Sequence, residues 1–190
     1  MDRYRVRRLW EDVSATYADQ RDPDGSDADL LEDLRGRLPD DPLVVDVGCG
    51  DGARTLANLP DGSIGVDFAR AGLDLAAGEV PAARLLQGDM LGLPLRTGVA
   101  DAVTAYHAVF HVDRERHPEV YAEFARVLKP PGGRFETVRR GWMGGSMFFS
   151  APGRGRTLDA IEDAGFEDAE TVTADDPLGN STEFVFARRG

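Results

Sequence analysis

Apolar residues follow two different rhythms along this chain. Leu9, Trp10, Val13 and Tyr17 recur at helical spacing and predict an amphipathic helix over residues 5–19. Leu30, Leu31, Leu34 and Leu38 form a second stripe, with Ser26 placed to cap it and Asp29 in its first turn. The stretch between them, Asp19 to Asp29, is rich in Asp, Pro and Gly and reads as a connection. From residue 43 the rhythm changes to short apolar runs: Leu43–Val47, Ser63–Asp67, Ala82–Gln87, Asp101–Ala105 and Phe135–Val138. Runs this short suit strands buried on both faces. Helical stretches fall between them at Ala71–Gly78 and Pro118–Leu128, the latter with Val120, Tyr121, Phe124 and Val127 facing inward. Strands alternating with helices predict an α/β fold, a doubly wound Rossmann-like sheet that is mostly parallel. Thr157–Ala164 reads as a helix ended by Gly165, followed by strands near Glu170–Thr173 and Glu183–Ala187 around a turn at Asp175–Ser181, a C-terminal antiparallel hairpin. The chain divides into an N-terminal helical segment, residues 1–39, and a ligand-binding domain, residues 40–190, which together make a single domain.

The first strand runs straight into Gly48-Cys49-Gly50-Asp51-Gly52. Glycines there permit φ > 0 and remove the Cβ atoms that would hold a ligand off the backbone. A helix predicted over Ala53–Leu59 would add N–H donors beneath the turn. A dinucleotide fingerprint reads G-x-G-x-x-G, whereas this loop reads G-x-G-x-G after an acidic strand residue, so pyrophosphate is a poor guess. Asp46 and Asp51 instead suit a ligand with a cationic group beside its anionic one, such as an amino acid end. Asp67 closes the next strand 21 positions after Asp46, where a doubly wound fold binds two ribose hydroxyls. A nucleoside joined to an amino acid satisfies both halves.

On these motifs the chain resembles the class I S-adenosylmethionine-dependent methyltransferases, whose first motif reads like VVDVGCGDG and whose second strand ends like GVDFA. Leu85-Leu86-Gln87-Gly88-Asp89-Met90, Asp101 to His107, and Val127 to Arg134 resemble the family's third strand end, its fourth strand and the turn before its fifth. The resemblance covers roughly residues 40–190 and implies S-adenosylmethionine as cofactor. It implies that Asp46, Gly48 and Gly50 hold the amino acid end and Asp67 the ribose, with Cys49 among the cofactor contacts. Phe68 would then stack on adenine, with Asp89 accepting from its amino group and Met90 packing on the ring. Ala105, at the fourth strand end, completes that side. Trp10, Ser14 and Tyr17 match a W-x-x-x-S-x-x-Y pattern that in similar enzymes covers cofactor and substrate, which places Tyr17 among the cofactor contacts. The type resembled is the small-molecule one, including quinone-biosynthesis enzymes.

Charge and composition narrow the partners. Twenty-two basic and 34 acidic residues leave a net charge of −12, which argues against a nucleic-acid partner. Lys129 is the only lysine and aspartate outnumbers glutamate, a balance suited to a halophilic protein. The single cysteine, Cys49, excludes an internal disulfide and a thiolate metal cluster, and its expected role is packing. Three scattered histidines assemble no metal site. No membrane span or basic-then-apolar leader is visible, so the expected location is cytoplasmic. Nothing in the sequence sets an oligomeric state.

The fourth strand delivers Tyr106, His107, Phe110 and His111 to the sheet edge where such folds bind ligands. Catalytic roles are expected for His107 and Tyr106, although a lone histidine also serves as a structural hydrogen-bonding residue. Where similar methyltransferases show two adjacent histidines, Phe110 replaces the first. An amine, thiol or acidic enol would accept a methyl group unaided, whereas a hydroxyl would need deprotonation, a task for His107. Residues 139–156 offer Trp142, Met143, Met147, Phe148 and Phe149 among glycines, either a flexible wall of a substrate pocket or a short core helix. Two alternatives stand beside the methyltransferase reading: an NAD-dependent oxidoreductase on a related sheet, and a cofactor-binding protein without catalysis.

Overall fold

The structure is a computed structural model and describes residues 2–20, 28–130, 134–139, 147, 149–175 and 181–190. The expected Ser26 cap, the part of the 139–156 connection that holds Trp142, Met143 and Phe148, and the tip of the C-terminal turn lie outside the described residues.

Among the described residues seven strands form one sheet in the order β3-β2-β1-β4-β5-β7-β6. These are β1 (Val44–Val47), β2 (Ile64–Asp67), β3 (Arg84–Gln87), β4 (Ala102–Ala105), β5 (Arg134–Arg139), β6 (Phe166–Asp175) and β7 (Ser181–Arg189). The first five pair in parallel, while β7 runs antiparallel to both β5 and β6, so the terminal hairpin extends the sheet. Among the described residues five α-helices accompany it: α1 (Arg3–Gln20), α2 (Ala28–Gly36), α3 (Arg70–Glu79), α4 (His117–Val127) and α5 (Arg154–Asp163).

Strand alternation sorts the core onto two faces. Val45, Val47, Val103 and Val185 pack with Val120, Tyr121 and Phe124 of α4 and Ile161 of α5. Val44, Ala102, Phe184 and Phe186 pack on the opposite side with Leu30, Leu31 and Leu34 of α2 and Leu73 of α3. Complete burial of β1, β2 and β4 accounts for their short, unbroken apolar runs. Lys129 grips Asp101 with Nζ 2.9 and 2.8 Å from its two oxygens, and the amide of Leu43 donates to the same carboxylate at 2.9 Å. The one lysine thereby joins the entrances of β1 and β4. Burial alone would raise the Asp101 carboxyl, but the bonds from Lys129 and Leu43 hold it below its ordinary range.

The helix expected over Ala53–Leu59 is absent. Only a three-residue 3-10 turn forms, at Leu56–Asn58. The Asn58 side chain donates to the carbonyl of Arg54 at 2.7 Å, the acceptor a continuing helix would have used, and Pro60 follows directly. Gly52 has left-handed backbone at φ 76°, so the segment starts as a string of turns. The hinge therefore relies on its own amides and receives little from a helix dipole.

Candidate cofactor site

β1 and β4 lie side by side where the strand order reverses, and the cleft opens beyond their C-terminal ends. It takes in about 870 Å³ of space counted out to its open mouth. Its floor is the hinge. Gly48 and Gly50 adopt φ 78° and 54°, and the amides of Gly48 and Cys49 donate to the carbonyl of Val66 at 2.7 and 3.2 Å, tying the hinge to β2. A Cβ at Gly48 would collide with the Cβ of Ala108, whereas one at Gly50 would meet nothing within 4 Å. Gly48 is thus required by packing, and Gly50 leaves bare backbone facing open space.

Asp67 at the end of β2 anchors the other side. Its Oδ2 accepts from the Gly50 amide at 2.9 Å and its Oδ1 from the Ala69 amide at 2.8 Å. Burial pushes its carboxyl up to about 6, because the loss of water outweighs the amides of Ala69, Gly50 and Phe68 that favour the charged form. Phe68, Gly88 and Met90 continue the wall from there. Cys49 lines the hinge with its thiol raised well above the ordinary range, first by burial and then by the carboxylates of Asp67, Asp46 and Asp51. It stays a protonated packing residue.

Tyr106, His107, Ala108 and His111 face the cleft from the segment after β4. His107 has φ 53°, left-handed backbone that costs a non-glycine residue about 1–2 kcal/mol. Its ring sits 6.4 Å from that of Tyr106 and 6.1 Å from that of Phe184, while Tyr106 packs on Phe184 at 5.0 Å. Phe149 packs behind Phe110 and His111, at 5.4 and 5.0 Å.

Helix α1 roofs the cleft with Arg3, Trp10, Ser14 and Tyr17. Trp10 meets Tyr17 and His111 edge-on at 5.3 and 5.1 Å, and the Ser14 hydroxyl donates back to the Trp10 carbonyl at 2.6 Å. Glu11 reaches across to the start of α3, accepting from the amides of Arg70 and Ala71 at 2.8 Å each. Burial works against its charge, but these two amides and Arg7 hold the Glu11 carboxyl below its usual range. It acts as a cap for a helix whose own N-cap, Ala69, has no side-chain oxygen to offer.

Of the residues singled out from the sequence, Gly48, Cys49, Gly50, Asp67, Phe68, Met90, Tyr106, His107 and Tyr17 come together around this one cleft. Asp46, Asp89 and Ala105 stand behind its lining. Asp46 is 1% exposed and accepts from the Thr104 hydroxyl, Ala105 is fully buried, and Asp89 is paired with Arg3. Sequence reasoning missed Arg3, Glu11, Arg54 and Thr55. Arg54 and Thr55 directly follow the hinge and are buried against it, a position that could have drawn attention to them. Arg3 and Glu11 carry no local signal, since their partners lie 86 and about 60 positions away. Among the described residues no group of acidic, histidine or cysteine side chains is arranged to hold a metal ion, and no helix is long and apolar enough to cross a membrane.

Bare backbone at Gly50, a strand-end carboxylate at Asp67 and an aromatic face at Phe68 fit a nucleoside with an amino acid end. The hairpin-extended sheet around them has the class I methyltransferase fold. Residues 44–132, a little under half of the chain, match a family model described as a methyltransferase domain. An uncharacterized methyltransferase of Oceanobacillus iheyensis is 26% identical over 103 residues, 54% of this chain and 48% of that one. A tRNA (carboxymethyluridine(34)-5-O)-methyltransferase of Mus musculus is 26% identical over 133 residues, 70% of this chain and 19% of that one. This chain therefore spans about half the length of the first of these relatives and about a fifth of the second. Among solved structures, the methyltransferase in complex with a methyltransferase activator from Haloferax volcanii superimposes with a TM-score of 0.73 at 19% identity, covering 97% of this chain and 98% of that one. Geranyl diphosphate C-methyltransferase from Streptomyces coelicolor, solved with S-adenosyl-L-homocysteine, gives 0.70 at 20% identity over 86% and 75%. At these identities the superpositions speak for the fold alone.

Proposed function

We propose that this chain methylates a small-molecule acceptor in the cytoplasm, with the acceptor held between the hinge and the aromatic residues of α1 and the post-β4 segment. One observation carries this reading: Trp10, Tyr17, Tyr106 and His107 share a single roofed cleft with Asp67 and Gly50. When bound, S-adenosylmethionine supplies an electrophilic methyl group ready for in-line displacement. Asp67 accepts the ribose hydroxyls, the amides around Gly50 face the amino acid end, and Phe68 with Met90 bracket the base. Asp46 acts from behind the hinge by fixing its backbone, and Asp89 offers its carboxylate to the adenine amino group. Trp10 and Tyr17 exclude water from above, which matters more here than strong acid–base help, because alignment is the protein's main contribution. His107 presents its ring to the acceptor side and takes the proton when the acceptor is a hydroxyl; Tyr106 orients the acceptor.

A tRNA acceptor is the second reading, favoured by the mouse relative and opposed by the net charge of −12. The test incubates the protein with methyl-labelled S-adenosylmethionine and, separately, extracted small metabolites or total tRNA. Label recovered in the metabolite fraction is the expected result. Label confined to tRNA overturns the acceptor assignment, and tighter binding of NAD than of S-adenosylhomocysteine in calorimetry overturns the enzyme class.

A further inference from the structure

Arg3 stands at the nucleobase end of the cleft. Its guanidinium carbon lies 4.5 Å from the centroid of the Phe68 ring. Its Nε and Nη2 donate to Oδ2 and Oδ1 of Asp89 at 2.9 and 2.8 Å, a two-pronged fork, and its Nη1 donates to the carbonyl of His111 at 2.9 Å. Arg3 lines the cleft while Asp89 does not, so the guanidinium separates the cavity from the carboxylate.

A guanidinium and an adenine edge share the relevant chemistry. Both are flat, both lie on an aromatic ring, and both present N–H donors to a carboxylate in the plane of the group. We infer that Arg3 is a tethered competitor for the nucleobase subsite: by stacking on Phe68 and forking Asp89 it holds α1 down over the cleft, and cofactor entry requires it to leave. This rests on the reading above, in which Phe68 and Asp89 receive adenine. Glu11 supplies the second fastening of α1, at the start of α3, so release of Arg3 frees the first turn of the helix while its middle stays moored. The apparent affinity for cofactor is then the intrinsic affinity multiplied by the fraction of molecules in which Arg3 is out.

The contact also depends on salt. The Arg3 and Asp89 side chains keep 17% and 35% of their exposure, so mobile ions reach the pair and weaken it. High ionic strength should open the competitor and leave the apolar stacking of a base on Phe68 largely intact.

Titration of S-adenosylhomocysteine into the wild-type chain and Arg3→Ala, at about 0.1 M and about 2 M NaCl, tests this. Arg3→Ala should bind about five to twenty times more tightly at low salt, with the gap closing at high salt because the wild type improves. Arg3→Lys keeps the charge but loses the flat fork, and should fall between the two. Equal or weaker binding by Arg3→Ala overturns the inference, because Arg3 would then be idle or a clamp on the bound base. If Arg3→Ala fails to fold, the wild-type salt series decides: affinity rising with salt supports competition, and flat or falling affinity overturns it. Binding by none of the proteins removes the cofactor reading itself, an outcome distinct from binding by all of them without the expected order.

Discussion

Thr104 donates its hydroxyl to Oδ1 of Asp46 at 2.7 Å, between residues paired across the adjacent strands β4 and β1. Both side chains are buried on the sheet face shared with α2 and α3, one position before the strands give way to the hinge and the Tyr106–His107 segment. The bond therefore couples the two strands that carry the site. Thr104→Val leaves a buried carboxylate short of a donor and should cost about 1–3 kcal/mol in denaturant unfolding. Thr104→Ser keeps the hydroxyl and should stay within about 1 kcal/mol of the wild type. Equal losses in both would mean that the methyl packing, and not the bond, matters.

The hinge glycines should separate under substitution. Gly48→Ala forces a Cβ into Ala108 as well as straining the backbone, and should lower stability by about 2 kcal/mol or more. Gly50→Ala strains the backbone alone and should cost about 1–2 kcal/mol, yet its methyl group would project into the cleft and abolish binding of S-adenosylhomocysteine. Undiminished binding by a folded Gly50→Ala protein would show that no ligand crosses this loop.

Asp67 makes cofactor binding depend on pH. Its carboxyl rises from an ordinary 3.8 to about 6 in the fold, because burial disfavours the charge. Between those values the folded chain holds a proton that the unfolded chain has lost, so this group stabilises the fold fully below about 3.8 and the contribution fades as pH rises through about 6. Accepting two ribose hydroxyls favours the ionised form, so affinity should run the opposite way, weak at pH 5 and levelling off above pH 7 with a midpoint near 6. Calorimetry of S-adenosylhomocysteine across that range should show the rise in the wild type. Asp67→Asn should bind weakly at every pH, and a persistent rise there would assign the titration to another group.

With 34 acidic against 22 basic residues, self-repulsion should be relieved by salt. The unfolding midpoint is expected to increase between about 0.1 M and about 2 M KCl. A midpoint that falls over this range would indicate that ion pairs such as Lys129–Asp101 outweigh the repulsion.

Much of the site was legible because its signals are local. A glycine loop after an apolar run, and an acid closing the next strand, are statements about neighbours in the chain, and Gly48, Gly50, Asp67, Phe68, Tyr106 and His107 all reached the cleft. The missed helix at Ala53–Leu59 shows the limit of that logic. Its residues favour a helix by propensity, but the Asn58 amide takes the carbonyl that the helix needed, a competition that composition does not reveal.

By itself the sequence determined the kind of sheet, the position of the hinge and the strand ends that face the cleft, since burial on two faces writes itself as short apolar runs and backbone turning writes itself as glycine. Only the tertiary structure decided who stands opposite whom. Arg3 meets Asp89 86 positions away and Glu11 caps α3 from another helix, because such contacts depend on where elements come to rest after the core has packed. A charged side chain on an exposed-looking helix face reads the same whether it ends in solvent or in a binding site, and only its partner across the fold tells the two apart.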